Sequence, residues 1–181
     1  MSRAVQFAMK CHKGQTRKYT NEPFIYHPLR VSNYITLYYS FHPLYEMLYN
    51  SAILHDVIED CNVSYVTIRN LFGKDVAKTV FSLTHPSQIN SKYKDLPRAK
   101  RKKIDFENIG NSSWEVQLIK LFDRLDNIKS SYLGKRKFLL EKFIPETKEL
   151  TNYLPLSYSL RKDEFDSALL DLQNYHEEKW Y

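Results

Sequence analysis

The stretch L-H-D-V-I-E-D-C, residues 54–61, places four ionisable side chains among apolar ones. His55 and Glu59 stand four positions apart. Asp56 and Asp60 have the same spacing, so in a helix the two pairs form adjacent stripes on one face. Burying such carboxylates without compensation costs several kcal/mol each, and a divalent cation offsets that cost best. The His-Asp pair offers one nitrogen and one oxygen to a cation, while the Glu-Asp pair can hold and deprotonate a water molecule.

Two further residues could bind such a cation. His27 precedes a proline at a predicted helix start, where a histidine is more often a simple helix-entry residue. Asp123 lies in I-K-L-F-D-R-L-D-N, residues 119–127. There Lys120, Asp123 and Asn127 form a polar line across a strongly apolar helix, which usually marks a site. An isolated His-Asp dipeptide more often lies solvated or salt-bridged on a surface helix, but these additional residues favour a functional site.

The candidate ligands form a mixed set of nitrogen and oxygen donors. They are two imidazoles and two carboxylates, from His27, His55, Asp56 and Asp123. Such a set suits Mn²⁺, Fe²⁺, Zn²⁺ or Co²⁺ more than Ca²⁺ or Mg²⁺. The sequence therefore predicts a divalent transition-metal site.

Length and composition indicate a single domain over residues 1–181. The apolar runs are far shorter than the roughly 20 residues of a membrane-spanning helix, and Met1 leads into an amphipathic helix pattern rather than a signal segment. Cys11 and Cys61 are the only cysteines, at positions predicted to face the core, which suits a reducing compartment. We expect a cytoplasmic protein with no membrane partner.

The net charge of +6 and the pI near 9.1 predict attraction to polyanions. Part of the excess lies in R-A-K-R-K-K, residues 98–103, which fits a solvated helix face, a phosphate-binding cleft or a nucleic-acid contact. The four glycines form neither a G-x-G-x-x-G nor a G-x-x-x-x-G-K-[ST] motif, which excludes the Rossmann and P-loop classes.

Helical periodicity dominates the chain, and strand alternation does not rise above noise. Ser64 is expected to cap a short helix that ends before Gly73. Residues 84–96 are predicted to form a polar loop, and residues 133–160 are less regular. The predicted helices cover residues 4–13, 28–40, 43–61, 65–72, 75–83, 97–108, 113–132 and 161–179.

The order His, His-Asp, Asp resembles the pattern of the HD-domain phosphohydrolases. Within that superfamily, four segments resemble the hydrolase domain of RelA/SpoT-type proteins: residues 12–28, 54–60, 72–77 and 119–127. The resemblance spans roughly residues 4–130, and residues 133–181 form a C-terminal helical extension without a clear counterpart. No synthetase domain follows, so the chain is most similar to the single-domain small alarmone hydrolases, including their metazoan members.

The resemblance implies an all-α, single-domain HD-type helical bundle. It implies an enzyme that removes the 3′-pyrophosphate from (p)ppGpp, giving pyrophosphate and GDP or GTP, with Mn²⁺ as the usual metal. Glu59 and Asp60 would orient and activate the attacking water. The metal ligands carried over by motif are His27, His55, Asp56 and Asp123.

The resemblance also suggests contacts with the nucleotide. Arg17 and Lys18 would lie against the base, and Asn127 would reach the ribose or its phosphates. Arg98 and Lys102 fall in a segment that resembles a phosphate-contacting segment of the metazoan members, although simple solvation also explains such a run.

The chain departs from the family pattern beside the candidate ligand Asp123. Phe122 stands where a small residue is usual, and Asp126 stands where histidine is common. Both substitutions are expected to reshape the pocket.

The sequence is also compatible with other functions. The same metal site would serve a phosphatase of another 2′- or 3′-phosphorylated nucleotide, such as NADPH or an adenine alarmone. A non-catalytic nucleotide- or nucleic-acid-binding module would be expected to lose a ligand or the Glu-Asp pair, yet all six positions are present. We therefore expect a small nucleotide as the partner and no nucleic acid.

Overall fold

The computed structural model describes residues 1–178, which fold into helices joined by short loops. Within these residues the β pairing is confined to one isolated antiparallel bridge, between Thr16 and Pro23. None of the described helices is both long enough and apolar enough to cross a membrane. The predicted all-α fold is confirmed.

The first half of the chain follows the predicted helical pattern closely. Ser64 caps its helix as predicted, because its Oγ accepts a hydrogen bond from the Thr67 backbone N–H at 3.1 Å. Gly73 ends that helix with φ +92°, which glycine adopts without strain. The helices are α1 (Arg3–Cys11), α2 (Tyr26–Tyr39), α3 (Tyr45–Leu54), α4 (Val57–Cys61), α5 (Tyr65–Phe72) and α6 (Lys74–Leu83).

The continuous helix predicted over residues 43–61 is wrong, because α3 and α4 are separate helices. His55 and Asp56 form the turn between them. The backbone of Asp56 has φ −99° and ψ −5°, in the bridge region that active-site residues often adopt. Asp56 and Asp60 still lie one helical turn apart at the start of α4, because the Asp60 N–H donates to the Asp56 carbonyl at 2.8 Å.

The second half contains more helix than predicted. The predicted loop over residues 84–96 includes two short helical turns, and Pro145 and Pro155 occupy first turns of helices, where a missing N–H costs nothing. The predicted end of the last helix at Lys179 lies outside the described residues. The elements are α7 (Pro86–Ile89), a 3₁₀ turn (Ser91–Tyr93), α8 (Arg98–Gly110), α9 (Trp114–Lys129), α10 (Arg136–Phe138), a π-helical turn (Leu139–Phe143), α11 (Ile144–Thr151), α12 (Pro155–Ser159) and α13 (Lys162–Glu178).

Helix α9 is the centre of the bundle and contacts α2, α3, α6, α8, α12 and α13. It is buried on almost every side, and Phe122 stacks on Tyr34 of α2 with 5.1 Å between ring centroids. Phe122 therefore packs in the core. The same helix also buries four charged side chains: Lys120, Asp123, Arg124 and Asp126. Charged residues are almost never buried unless they are paired or functional.

A second apolar cluster joins α1 to α3, α4, α5 and α6. Cys11 packs at the edge of this cluster, and Cys61 lies at the end of α4. Both thiols are free and half-buried, so the prediction that they face the core holds only at its edge.

The region after α9 shares the main core. Phe165 of α13 is 1% exposed and belongs to the same apolar cluster as Leu125 and Ile128 of α9. Leu139 is also fully buried. The extension therefore covers α9 with apolar side chains, which supports the predicted single domain.

We predict that Phe165→Ala lowers the free energy of unfolding by about 3–5 kcal/mol, because it leaves a cavity in the shared core. Unfolding should remain one cooperative transition in denaturant, followed by far-UV circular dichroism and tryptophan fluorescence. Phe41→Ala is the matched control, since Phe41 is 101% exposed and its loss should cost less than about 0.5 kcal/mol. Two separate transitions, only one of them sensitive to Phe165→Ala, would contradict the single domain.

Candidate active site

The predicted metal ligands lie together where α2, the α3–α4 turn and α9 meet. The His27 Nε2 atom is 3.1 Å from Asp123 Oδ1 and 3.6 Å from Asp56 Oδ2. The His55 Nε2 atom is 3.0 Å from Asp56 Oδ2 and 3.9 Å from Asp123 Oδ1. The fold thus gathers two imidazole nitrogens and two carboxylate oxygens from three separate segments into one cluster.

Hydrogen bonds on the far side of both imidazoles leave the Nε2 atoms facing this cluster. His55 Nδ1 lies 2.7 Å from the Ala52 carbonyl oxygen, and His27 Nδ1 lies 2.7 Å from Asp126 Oδ2. Both partners can only accept, so Nδ1 is the protonated nitrogen and donates in each case. In the neutral rings the Nε2 lone pairs are then available to a ligand, as in metal-binding histidines.

One buried nitrogen of the cluster tests whether these residues fit a metal ion. His55 Nε2 is buried and has no hydrogen-bond partner among residues 1–178, since its close contact with Asp56 lacks hydrogen-bond geometry. Leaving a buried polar atom unpaired costs about 1–3 kcal/mol. The ligand atoms of His27, His55 and Asp56 lie within 4.8 Å of one another, so the residues present fit a divalent metal ion.

The electrostatics of the cluster favour positive charge. Burial alone would raise the pKa of Asp56, but His55 and His27 outweigh it and hold that pKa below its ordinary value. Burial likewise opposes the charge of His55, yet Asp56 and Asp123 raise the pKa of His55 to about 9. A proton or a metal ion is therefore strongly attracted to this position.

The predicted polar line along α9 supports Asp123. Lys120 Nζ lies 2.7 Å from Asp123 Oδ2, and Asn127 Nδ2 donates to Asp123 Oδ1 at 2.6 Å. The Asn127 Oδ1 atom accepts from Arg17 Nη2 at 2.7 Å, and Arg17 also donates to Ser130 Oγ at 2.9 Å. Hydrogen bonds thus connect the candidate metal ligand on α9 to the loop that carries Arg17.

Three of the predicted nucleotide contacts border one cavity of about 300 Å³. The Arg17 guanidinium also lies 5.7 Å from the centroid of the Phe24 ring. Cationic and aromatic groups of this kind suit a planar base. The cavity is lined by Thr16, Arg17, Lys18, Tyr19, Thr20, Phe24, Asn127, Ser130, Ser131, Phe138 and Phe143.

The carboxylates of Glu59 and Asp60 lie in different environments. His85 donates to Glu59 Oε2 from its backbone N–H at 3.1 Å, and its Nδ1 lies 3.0 Å from the same oxygen. Burial raises the pKa of Glu59, but these bonds outweigh burial and lower that pKa. Desolvation, followed by the charges of Asp56 and Glu59, raises the pKa of Asp60 to about 7 although its side chain is exposed. Pairs whose pKa values are moved apart in this way are typical of acid–base sites.

Sequence reasoning missed His85, which it placed in a polar loop. The one available signal is the His-Pro dipeptide at residues 85–86, which matches the dipeptide at residues 27–28. That signal does not discriminate, because the same dipeptide at residues 42–43 has a histidine that caps its own turn by accepting from the Leu44 N–H.

The two basic residues predicted to contact phosphates lie in different surroundings. Arg98 forms a bidentate ion pair with Glu146 of α11, at 2.7 and 2.8 Å, and is therefore already engaged. The side chain of Lys102 is 18% exposed and lies 3.6 Å from Asp105 Oδ2. Burial and the nearby charges of Lys120 and Arg124 lower the pKa of Lys102. Lys102 therefore lies on the side of α8 that faces the polar line of α9.

The helical bundle and the cluster of His27, His55, Asp56 and Asp123 together indicate the class of this protein. It is a helical protein whose His, His-Asp and Asp residues fit a divalent metal ion. The chain belongs to the HD domain family, whose family model matches residues 4–138. This match confirms the resemblance inferred from the motifs.

Known relatives extend the comparison. The chain is 35% identical over 160 residues to a guanosine-3′,5′-bis(diphosphate) 3′-pyrophosphohydrolase of Aquifex aeolicus, covering 88% of this chain and 21% of that protein. It is 34% identical over 126 residues to the enzyme of that name, MESH1, of Drosophila melanogaster, covering 69% and 65%. The match therefore spans about a fifth of the first relative and just under two thirds of the second.

Solved structures share the fold. A metazoan ortholog of SpoT, described as hydrolysing ppGpp, superposes with a TM-score of 0.77 at 26% identity, covering 93% of this chain and 92% of that one. The protein lmo0812 of Listeria monocytogenes EGD-e superposes with a TM-score of 0.62 at 27% identity, covering 85% and 99%. The first superposition includes most of the region after α9, beyond the span of the motifs.

We predict that Asp60→Asn raises the melting temperature of the metal-free protein at about pH 8. The pKa of Asp60 in the folded state is about 7, above its ordinary value of 3.8, so between these values the folded state holds a proton that the unfolded state has released. The stability that this proton contributes is present at low pH and is lost as the pH rises through about 7. The advantage of the variant should therefore shrink toward about pH 4, in thermal scans with a chelator present.

Asp95→Asn provides the control for this titration, because Asp95 is an exposed carboxylate in a loop outside the site. Its effect on the melting temperature should not follow the same pH profile. An Asp60→Asn protein that is no more stable than wild type at high pH would contradict the raised pKa.

Proposed function

We propose that this protein is a metal-dependent hydrolase that removes the 3′-pyrophosphate from (p)ppGpp, giving GDP or GTP and pyrophosphate. The observation that carries the proposal is the convergence of two imidazoles and two carboxylates on one buried cluster, in which His55 Nε2 lies 3.0 Å from Asp56 Oδ2 without a hydrogen bond, with Glu59 and Asp60 one turn further on. The names of the relatives support the substrate, since the Aquifex and Drosophila proteins are called 3′-pyrophosphohydrolases of this nucleotide.

Four residues would hold the metal: His27 and His55 through Nε2, and Asp56 and Asp123 through their carboxylates. We propose Mn²⁺ as the ion because it is the usual metal of the hydrolases that the motifs resemble. The mixed nitrogen and oxygen donors suit Mn²⁺, as they suit Fe²⁺, Zn²⁺ and Co²⁺. When bound, the ion supplies Lewis acidity, which acidifies water and offsets charge on the departing pyrophosphate.

Glu59 and Asp60 would have different roles toward the attacking water: Glu59 would orient it and Asp60 would accept its proton. Glu59 is held in place by two contacts with His85 and keeps its charge, so it accepts a hydrogen bond from the water and orients it. Asp60 has a pKa near neutrality and an exposed side chain, which suits a group that takes the proton from the water and releases it to solvent. The oxygen of this water would bond to the phosphorus next to the ribose 3′ oxygen, and the bond between that phosphorus and the 3′ oxygen would break. Intact pyrophosphate then leaves, and the 3′ oxygen takes up a proton to become a hydroxyl.

The cavity beside Arg17 would receive the base. The planar guanidinium of Arg17 can stack on a purine, and Lys18 borders the same space. Asn127 hydrogen-bonds both Arg17 and Asp123, so it lies between the base cavity and the metal ligands, where the ribose or its phosphates would be.

The basic residues of α8 would meet the phosphates. Lys102 is close to Lys120, and its contact with Asp105 is long, at 3.6 Å. Arg98 would have to exchange two short bonds to Glu146 for a phosphate oxygen. We therefore propose Lys102 as the stronger contact of the two.

We predict that purified protein binds about one equivalent of transition metal per chain, and that His55→Ala and Asp123→Ala abolish this binding because each removes a ligand. Inductively coupled plasma mass spectrometry measures the content. Some loss of stability should accompany the change, since the remaining buried groups lose their partner. His42→Ala is the matched control, because His42 caps a turn outside the site, and it should keep its metal. Full occupancy in both ligand variants would overturn the ligand set.

We predict that the Mn²⁺-loaded protein hydrolyses ppGpp with release of intact pyrophosphate. The adenine analogue should react more slowly but measurably, because the side chains that line the base cavity within the described residues include no carboxylate to select guanine. GTP should react little, since its phosphates are on the 5′ side. Glu59→Gln should keep the metal and lower turnover by about 10²-fold or more.

Separate assays of pyrophosphate and orthophosphate distinguish the alternatives. Orthophosphate from NADPH, with ppGpp untouched, would indicate a phosphatase that uses the same metal site. Cleavage of GTP alone would overturn the alarmone assignment. Nucleic-acid binding without any hydrolysis would favour a binding module.

A further inference from the structure

Asp126 of α9 lies directly behind one of the proposed metal ligands. Its side chain is 3% exposed, and its Oδ2 accepts a hydrogen bond from His27 Nδ1 at 2.7 Å. The opposite ring nitrogen, His27 Nε2, faces Asp123 and Asp56. Asp126 therefore contacts the back of the imidazole and stands outside the proposed ligand set.

A planar guanidinium holds Asp126 from the other side. Arg30 Nε donates to Asp126 Oδ1 at 2.6 Å, and Arg30 Nη2 donates to Oδ2 at 3.2 Å. The outer edge of the same guanidinium donates to both carboxylate oxygens of Glu22, at 2.7 and 3.0 Å. This rigid fork fixes the plane of the Asp126 carboxylate.

The two imidazoles of the cluster donate from Nδ1 to different kinds of acceptor. His55 Nδ1 donates to a neutral carbonyl, that of Ala52. His27 Nδ1 donates to a carboxylate, which fixes the tautomer more strongly and increases the basicity of Nε2. His27 is thus the one of the two imidazoles that has a carboxylate behind it.

The chain of ion pairs also ends in the loop that precedes α2. The Glu22 carbonyl accepts from the Arg17 N–H at 2.9 Å, so the pair with Arg30 anchors the segment that carries Arg17. One network therefore joins the proposed base-binding loop to a proposed metal ligand.

We propose that Asp126 is a positioning residue for the metal, and that it orients His27 and fixes its tautomer while Arg30 and Glu22 hold Asp126 in place. This inference rests on the metal site of the proposed function. It assigns to Asp126 an effect on metal affinity and on ligand geometry, beyond its contribution to stability.

The test titrates chelator-treated protein with Mn²⁺ and records the visible absorption spectrum of the Co²⁺ form. Asp126→Asn keeps the size of the side chain and removes its charge. Its Mn²⁺ affinity should fall by about ten- to a hundred-fold, the range for loss of such a partner. The Co²⁺ absorption bands should shift, because an amide has a single acceptor oxygen and cannot accept from both His27 Nδ1 and Arg30 Nε as the carboxylate does.

Asp105→Asn is the matched control. Asp105 is also a fully buried aspartate, and it accepts hydrogen bonds from the backbone N–H and hydroxyl of Ser87, away from the four ligands. This variant should lose stability but keep the wild-type Mn²⁺ affinity and Co²⁺ spectrum. Arg30→Met provides a second test that does not depend on the folding of Asp126→Asn, because Arg30 is 36% exposed. Its Mn²⁺ affinity should fall in the same direction by a smaller factor.

The outcomes separate the inference from the function on which it rests. Wild-type protein that binds neither Mn²⁺ nor Co²⁺ would overturn the metal site and the inference together. Wild-type binding with unchanged affinity and spectrum in Asp126→Asn, or in Arg30→Met if the first variant does not fold, would overturn the inference alone. An equal loss of affinity in Asp105→Asn would also overturn it, since the effect would then follow from stability.

Discussion

The buried carboxylate of Asp123 is the constraint around which this structure is organised. It lies on the central helix, where the neighbouring side chains are apolar, and an uncompensated carboxylate there would cost several kcal/mol. Lys120 and Asn127 contact its oxygens from the same helix, and His27 approaches from α2. The packing of α2 and the α3–α4 turn on α9 is therefore also what supplies Asp123 with partners. Even so, His55 Nε2 has no hydrogen bond among the described residues, and a metal ion would give it a partner.

Whether a contact of this site could be predicted from the sequence depends on how far apart its two residues lie along the chain. The polar line on α9 follows from helical spacing, and the grouping of the four candidate ligands followed from their motifs. The contact of His85 with Glu59 joins residues 26 apart, and that of Asp126 with His27 joins residues 99 apart. Periodicity carries no information about such pairs, because they arise when whole helices pack. The ion pair of Arg98 with Glu146 could not be predicted for the same reason, since the two residues lie 48 positions apart.

The fold itself was predictable in class and in most helix positions, but the break between α3 and α4 was not. Hydrophobic spacing continues through His55 and Asp56, so the sequence alone favours one helix there. The tertiary contacts of these side chains compete with the helical backbone, and the Asp56 backbone adopts a bridge conformation instead. Short pieces such as α11 and α12 were missed for a related reason. A proline within a weak pattern suggests a loop, although it is equally suited to a first helical turn.

The distribution of charge bears on what the site could bind. The excess positive charge of the chain predicts affinity for polyanions, yet two cations near the site are buried: Lys120 is 7% exposed and Arg124 is 8% exposed. Side chains at this depth cannot lie along the phosphates of a duplex, whereas contacts with nucleic acid depend on surface lysines and arginines. Both lie beside Asp123, one of the proposed metal ligands. A small, highly charged phosphate group could contact both the proposed metal ion and these two cations, which supports the proposed phosphorylated nucleotide rather than a nucleic acid.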